Sequence, residues 1–232
     1  MKGKIYLIPV TLGGSDVSAI IPEKVLEITR GLRYFVVEEI RSARRYLRLI
    51  DNQFPIDDSC FRELNEHTRE KDITAYLEPA LNGNNMGLMS EAGLPCIADP
   101  GARLIAIAHR ERIKVVPLSG PSSILMALIS SGMNGQKFTF NGYLPVKSEE
   151  RIKKLRELEK KAREGYTQIF METPYRNQKI LNDILKTCSS DINLCIASDL
   201  TLPSESVITR KLPEWKTDIP DLNKKMVIFV LQ

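Results

Sequence analysis

The sequence predicts an α/β protein made of two halves. Short apolar runs typical of strands buried on both faces alternate with amphipathic helical patterns, which is the arrangement of a parallel sheet covered by helices. The chain has 232 residues, 43% of them hydrophobic and 27% charged, with a formal net charge of +4. These values are those of a globular protein with one large or two small domains, and they exclude a disordered or collagen-like chain.

Seven apolar runs are the predicted strands. In the first half they alternate with helical patterns, whereas two strand candidates follow each other directly near residues 194–210 in the second half. We therefore expect an N-terminal α/β domain over residues 1–117 with a parallel sheet, and a C-terminal α/β domain over residues 118–232 with a mixed sheet. The predicted strands are Ile5–Ile8, Tyr34–Val37, Gly87–Ser90, Val115–Leu118, Gln168–Met171, Leu194–Ala197 and Met226–Leu231.

The helices show their ends and their buried faces. Pro22 suits a first helical turn and Gly31 suits the end of that helix. The densely charged segment from Glu149 to Glu164 predicts a solvated surface helix. Apolar residues recur at Ile73, Leu77 and Leu81, and, in a helix that Pro121 opens, at Ile124, Leu125, Leu128 and Ile129, which predicts buried stripes.

Several classes of site are not expected. The four cysteines include no C-x2-C pair and the chain has only two histidines, so we expect no metal site and reduced thiols in the cytoplasm. No apolar run approaches the roughly 20 residues that cross a bilayer, so no membrane span is expected. The short apolar segment after Met1 is read as a first strand in preference to a signal peptide.

The segment from Ser90 to Gly101 is the most informative stretch for chemistry. It follows a predicted strand and precedes a helix, and the small residues Ala92 and Gly93 allow a ligand to approach the main chain closely. Pro95 and Pro100 stiffen it by fixing φ. A tight strand-to-helix turn without a ligand is the structural alternative. Neither this loop nor those at 10–16 and 118–123 carries a P-loop or dinucleotide fingerprint.

Five ordered motifs make the chain similar to the 16S ribosomal RNA cytidine 2′-O-methyltransferase family. This family is a branch of the tetrapyrrole methylase superfamily of S-adenosylmethionine (SAM)-dependent methyltransferases. The chain departs from the family in three segments: VTLGG at 10–14, EEIR at 38–41 and NEHT at 65–68. At the corresponding positions the family has TPIGN, EDTR and HEHN. The matching motifs are SEAGLP at 90–95 with DPG at 99–101, PLSGPSS at 117–123, FTFNGYLP at 138–145, ETPYR at 172–176 and DLT at 199–201.

The resemblance implies two α/β halves of the tetrapyrrole-methylase type with a cofactor cleft between them, and SAM as the cofactor. Plain core packing is the alternative role for Ile97 and Met171, and helix capping is the alternative for the serines of the third loop. The positions that match superfamily cofactor contacts are Gly13, Ala92, Gly93, Leu94, Ile97, Ser122, Ser123, Met171, Glu172 and Leu200.

Transfer of a methyl group to a ribose hydroxyl needs a proton acceptor or a polarising partner. At the matching motif positions the candidates are Glu39, Arg41, Glu66 and His67. His67 is the first choice for the base because an imidazole titrates near neutrality. Its alternative role is that of a solvated residue at a helix start.

Four arginines, Arg41, Arg44, Arg45 and Arg48, are spaced to form one basic helix face. Arginine forks suit phosphate oxygens, so this face is a candidate RNA-binding surface. A solvated face paired with the neighbouring glutamates is the alternative. The apolar residues of the same segment predict that its opposite face is buried.

Together these features predict a SAM-dependent methyltransferase that modifies a ribose 2′-hydroxyl of ribosomal RNA within the small subunit. The resemblance also implies a cytoplasmic homodimer. Two alternatives stay open at this point: a SAM-dependent enzyme with a small-molecule acceptor such as a tetrapyrrole, and a non-catalytic paralogue that binds SAM or RNA.

Overall fold

The structure, a computed structural model, describes residues 1–65 and 68–232 and divides into two compact units, 1–122 and 123–232. The domain boundary predicted from the sequence lies between residues 117 and 118. The segment 118–122 belongs with the first unit because the Leu118 N–H donates to the Leu7 carbonyl at 3.1 Å and its side chain packs against that unit's core.

The first unit is a five-stranded sheet in which every pair of neighbouring strands is parallel, in the order β3-β2-β4-β1-β5. Val36 faces one core and its neighbours Phe35 and Val37 face another, because side chains alternate across a strand. Helices α1 and α2 cover one face and α3, α4 and α5 cover the other, as the sequence predicted for a parallel sheet. The elements are β1 Lys4–Ile8, α1 Glu23–Arg30, β2 Tyr34–Val37, α2 Ile40–Ile50, β3 Cys60–Glu63, α3 Glu70–Ala75, α4 Glu78–Leu81, β4 Met86–Met89, α5 Gly101–Arg110 and β5 Lys114–Pro117.

The second unit is a mixed five-stranded sheet in the order β6-β7-β10-β8-β9. Strand β6 pairs with β7 in parallel, and the other pairs are antiparallel. The two α/β units with one parallel and one mixed sheet confirm the predicted fold class. The elements are α6 Ser123–Ser131, β6 Phe138–Tyr143, α7 Ser148–Arg163, β7 Thr167–Met171, α8 Asn177–Thr187, β8 Asn193–Ser198, β9 Ser206–Lys211, α9 Leu212–Thr217 and β10 Val227–Leu231.

Three details differ from the sequence predictions. Strands β3 and β6 were not predicted, and both are edge strands whose residues are largely exposed, so they lack a continuous apolar run. The repeat that includes Ile73 forms two short helices, α3 and α4, in place of one. Helix α6 buries Ala127, Leu128 and Ser131 against its sheet, while Leu125 and Ile129 of the predicted stripe are exposed.

No helix within the described ranges is both long and apolar enough to cross a membrane. Within the same ranges, no group of three or more His, Cys, Asp or Glu side chains is placed to hold a metal ion.

Candidate active site

The parallel pairing of the first sheet brings its strand-end loops to one edge. Loops 9–16, 38–39, 90–100 and 118–122 follow β1, β2, β4 and β5, and parallel strands place their carboxyl ends at the same side of the sheet. Ligands of open α/β sheets bind at this edge. The first-unit residues that the sequence predicted for the cofactor, and Glu39 with them, therefore share one side of the sheet.

The loop after β4 is held mainly by its own backbone. Gly93 forms a bridge with Val10, whose N–H donates to the Gly93 carbonyl at 2.9 Å. Three of its residues, Gly93, Cys96 and Ala98, have positive φ values of 69°, 71° and 61°. Such a conformation is costly for residues other than glycine, so the surrounding contacts must hold it. This conformation keeps the loop compact in front of the sheet.

Asp99 is the side chain that closes this loop. Its carboxylate accepts the N–H of Cys96 at 2.8 Å and that of Gly101 at 2.7 Å. Burial raises the pKa of Asp99, and burial with the neighbouring carboxylate raises the pKa of the Cys96 thiol to about 12. Cys96 is therefore a protonated thiol near neutral pH, and it is not an activated nucleophile.

A close backbone approach fixes the loop after β5. An ideal Cβ on Gly120 would lie 2.1 Å from the Cβ of Pro9 and 2.5 Å from its Cγ. Only glycine fits there, because real Cβ atoms do not approach other atoms so closely. The loops after β1 and β5 thus pack directly against each other at the sheet edge.

Helix α2 begins at this edge and is tied to it by carboxylates. Glu39 is the N-cap residue, and its two carboxylate oxygens accept the N–H of Arg41 at 2.7 Å and that of Ser42 at 2.6 Å. The Ser42 hydroxyl lies 2.8 Å from Glu39 Oε2 and 3.3 Å from Glu91 Oε1. Glu38 accepts the Glu91 N–H at 3.3 Å. The end of β4 and the start of α2 are therefore linked by one network.

The two neighbouring glutamates of this network differ in acidity. The Arg41 N–H, followed by the Ser42 hydroxyl, lowers the pKa of Glu39, because these donors favour the carboxylate form. Burial raises the pKa of Glu38, and the carboxylates of Asp99 and Glu91 raise it further. Glu39 is thus a stable anion at the helix start, where negative charge is favourable.

A cavity of about 500 Å³ lies between the loop after β1 and helix α2. We call it the α2 groove. Its floor contains the buried side chains of Val10, Ala43, Tyr46 and Met89. The other lining residues are Thr11, Gly13, Gly14, Ser15, Ser42, Arg45, Arg48, Leu49, Ser90 and Glu91.

The predicted basic face of α2 is exposed along its whole length, at Arg41, Arg44, Arg45 and Arg48. Its opposite side buries Ala43, Tyr46, Leu47 and Ile50, so the predicted amphipathic pattern is confirmed. The guanidinium of Arg44 lies 5.3 Å from the centre of the Phe61 ring, and Arg48 Nη1 donates to the Asn52 carbonyl at 2.6 Å.

In the second unit, Met171 is the last residue of β7, Glu172 follows it, and Leu200 follows β8. Strands β7 and β8 both lie beside β10. Ile228 of β10 is paired with Met171 on one side and with Ala197 on the other, so the two strand ends lie at one edge of this sheet. The carboxylate of Glu172 is fully buried, with Oε1 3.0 Å from Arg176 Nη2.

The loops at this second edge are held by charged side chains. Arg176 Nη2 donates to the carbonyls of Leu144 and Pro145 at 3.2 and 3.3 Å. Asp199 accepts the N–H of Met226 at 3.0 Å and the hydroxyl of Ser204 at 3.0 Å. Beside it, the buried hydroxyl oxygen of Thr201 has no hydrogen-bond partner within the described parts of the chain. A buried polar atom of this kind is a place where a ligand can supply the missing hydrogen bond.

Within each unit, the structure brings most of the predicted site residues to one edge of the sheet. Gly13, Ala92, Gly93, Leu94 and Ile97 lie at the edge of the first sheet with Ser122, while Ser123 is the first residue of α6. Ile97 is 42% exposed, so core packing does not account for it. The predicted catalytic residues Glu66 and His67 lie outside the described residues.

Sequence reasoning missed Ser42 and the clamping role of Arg176. A serine in a first helical turn is a common local feature, and nothing in the sequence shows that its hydroxyl meets Glu91, 49 residues later. For Arg176 the ETPYR motif singled out the residue, but not the carbonyls that it binds.

Comparison with known proteins identifies the family of the chain. The family model of Tetrapyrrole (Corrin/Porphyrin) Methylases matches residues 17–216. The chain belongs to the tetrapyrrole methylase family. Members of this family are methylases, so the chain is a methyltransferase, as the sequence predicted.

Relatives with more specific names resemble almost the whole chain. Ribosomal RNA small subunit methyltransferase I of Vibrio cholerae is 32% identical over 229 residues, which cover 98% of this chain and 75% of the relative. Its counterpart from Escherichia coli O157:H7 is 30% identical over 206 residues, covering 89% and 68%. These matches confirm the predicted branch of the family.

One solved structure shows the same fold. The methyltransferase CobJ superposes with a TM-score of 0.64 at 16% sequence identity, over 98% of this chain and 93% of CobJ. The likeness therefore extends through both units of the chain.

Proposed function

We propose that the chain transfers the methyl group of SAM to a ribose 2′-hydroxyl of small-subunit ribosomal RNA. The observation that carries this proposal is the near full-length match to ribosomal RNA small subunit methyltransferase I, joined to an exposed arginine face on α2. The formal charge of +4 is modest, so the arrangement of the arginines supports RNA binding better than the total charge does. With this substrate, we propose that the methyl transfer takes place in the cytoplasm.

The strand-end loops of each unit offer groups that SAM can contact. In the first unit, the loop 90–99 offers backbone groups and the exposed apolar side chain of Ile97. In the second unit, the orphaned hydroxyl of Thr201 supports a polar contact beside Leu200. The proposed cofactor contacts are those predicted from the sequence: Gly13, Ala92, Gly93, Leu94, Ile97, Ser122, Ser123, Met171, Glu172 and Leu200.

When bound, SAM supplies an electrophilic methyl group on a sulfonium. The chain's residues must hold the ribose oxygen in line with that methyl group, exclude water and accept the hydroxyl proton. We propose His67 as the acceptor of this proton, with Glu66 and Arg41 positioning the acceptor ribose. Glu39 has a lowered pKa and two backbone partners, so it is a weak base, and its role is to hold the start of α2.

The deciding experiment is transfer of tritium from labelled SAM to small-subunit ribosomal RNA taken from cells that lack the enzyme. We expect label in a single 2′-O-methylated nucleoside, identified by mass spectrometry after digestion. His67→Ala is expected to lose turnover while keeping SAM affinity. Labelling of a tetrapyrrole with RNA left unlabelled would reject the RNA proposal and favour a small-molecule acceptor.

A second variant tests the cofactor loop. Ile97→Ala removes an exposed side chain, so the melting temperature should stay unchanged while SAM binds several-fold more weakly by calorimetry. Ile219→Ala is the matched control, since Ile219 is 49% exposed and lies outside the predicted site. Equal SAM affinity in the two variants would remove Ile97 from the cofactor site.

We also propose that the chain forms a homodimer, as the family resemblance implies. Ile129 is 81% and Val146 is 72% exposed in the single chain, so both are available to a contact with a second copy. Light scattering after size exclusion should give twice the mass of the chain. A monomer at micromolar concentration would contradict this assembly.

A further inference from the structure

The α2 groove has three kinds of wall, and together they match the parts of one nucleotide. Its floor is apolar and contains the ring of Tyr46, which suits the face of a base. Arg45 and Arg48 also line it, and a guanidinium group binds phosphate oxygens through its planar set of N–H donors. Glu91 and Ser42 line it as well, and a carboxylate accepts hydrogen bonds from ribose or base donors.

The four arginines of α2 do not share one environment. Arg45 and Arg48 line the groove, whereas Arg41 and Arg44 do not. Arg44 is engaged with the Phe61 ring. Among the described residues, no carboxylate forms an ion pair with Arg45 or Arg48, so their charge is available to an anion.

The groove also borders the proposed cofactor loop. It includes Ser90 and Glu91 at the end of β4, and Ala92 and Gly93 of the proposed cofactor loop follow immediately in the chain. Two hydrogen bonds fix the position of Glu91: one from the Ser42 hydroxyl of α2, and one from its N–H to Glu38, which follows β2. The Tyr46 hydroxyl donates to the Pro9 carbonyl at 3.1 Å, so α2 is also tied to the loop after β1. An RNA strand bound in the groove would therefore lie at a fixed position relative to the loop after β4.

We propose that the α2 groove is a nucleotide subsite that holds an unpaired nucleotide of the RNA strand next to the acceptor ribose. Arg45 and Arg48 bind its phosphate and Tyr46 underlies its base, while Arg41 and Arg44 make no contact with it. The inference rests on the proposed function and names the part of the chain that positions its substrate.

The first test compares two double variants that remove equal charge, one from the groove and one from outside it. Arg45→Ala with Arg48→Ala should raise the KM for ribosomal RNA by at least about tenfold, as expected when a charge-assisted hydrogen bond is removed. The slope that describes the salt dependence of RNA binding should fall by about one for each phosphate that is no longer bound. Arg44→Ala with Arg62→Ala removes two exposed arginines that lie outside the groove and should have a smaller effect on both, and both variants should keep the SAM affinity of the unaltered protein.

The second test fills the groove without changing charge. Ser15 lines the groove and is exposed, so Ser15→Trp should block it and raise the KM for RNA while the melting temperature stays the same. Ser18→Trp is the control, because Ser18 is an exposed serine of the same loop that does not line the groove.

The outcomes separate this subsite from the proposed function. Equal losses in the two double variants would show a general basic surface and overturn the subsite, as would full activity of Ser15→Trp. If the unaltered protein binds RNA oligonucleotides through the groove but transfers no methyl group to them, the subsite stands and the proposed function fails. If it neither binds nor methylates RNA, both are rejected.

Discussion

The two sheets hold their strand-end loops by different physical means. At the edge of the first sheet, loops are fixed by backbone conformation and close approach, as at Gly93 with its φ of 69° and at Gly120 against Pro9, and by carboxylates such as Asp99 that accept backbone N–H groups. At the edge of the second sheet, buried charged side chains hold the loops through Glu172–Arg176 and Arg151–Asp183. A loop held by its backbone leaves little side-chain bulk in front of the sheet, which suits close contact with a ligand. A loop held by ion pairs is sensitive to the loss of a single charge.

Arg151 offers the largest test of this contrast. Its side chain is 1% exposed, forms a 2.6 Å ion pair with Asp183, and donates to the carbonyls of Pro145 and Val146. Arg151→Met leaves the partly buried carboxylate of Asp183 and two carbonyls without their partner, so we expect a loss of about 3 kcal/mol in the free energy of unfolding by urea.

Two controls accompany this variant. Arg151→Met combined with Asp183→Leu removes both charges and should recover much of the loss, because no buried charge is left unpaired. Lys161→Met, on the same helix as Arg151, breaks an exposed pair with Glu164 and should leave the urea midpoint nearly unchanged. A small effect of Arg151→Met would show that the second edge does not depend on its buried charges.

Gly120 provides the corresponding test at the first edge. Gly120→Ala places a Cβ against Pro9, and the overpacking should cost about 1–3 kcal/mol in the free energy of unfolding. Gly135→Ala is the control, because nothing lies within 4 Å of its ideal Cβ. Thermal or urea unfolding of both variants measures the difference, and equal stability would mean that the close approach at Gly120 is easily relieved.

The contrast also explains what the sequence could predict. Strands buried on both faces, such as β2 at Tyr34–Val37, are continuous apolar runs and were predicted at their true bounds. The charged pattern of α7 predicted a solvated helix, yet Arg151 is buried, because its partner Asp183 lies on α8 and no local signal marks the pair. The loop after β4 was recognisable from its motif, whereas the α2 groove depends on how α2 packs beside the loop after β1.

The smallest expected effect concerns Glu38 at the first edge, whose pKa is raised by burial and by the nearby carboxylates of Asp99 and Glu91. Because the folded pKa lies above the ordinary value of 4.5, the folded state gains from protonation of Glu38, and this gain is lost as the pH rises through the folded pKa. Glu38→Gln should therefore stabilise the protein at pH 7, by less than about 1 kcal/mol since the side chain is partly exposed and screened by solvent. The gain should disappear below pH 4.5, where both side chains are neutral. Urea unfolding at the two pH values, with the exposed Glu149→Gln as control, measures it. A destabilised Glu38→Gln at pH 7 would instead show that the hydrogen bond that Glu38 accepts from the Glu91 N–H outweighs the cost of its burial.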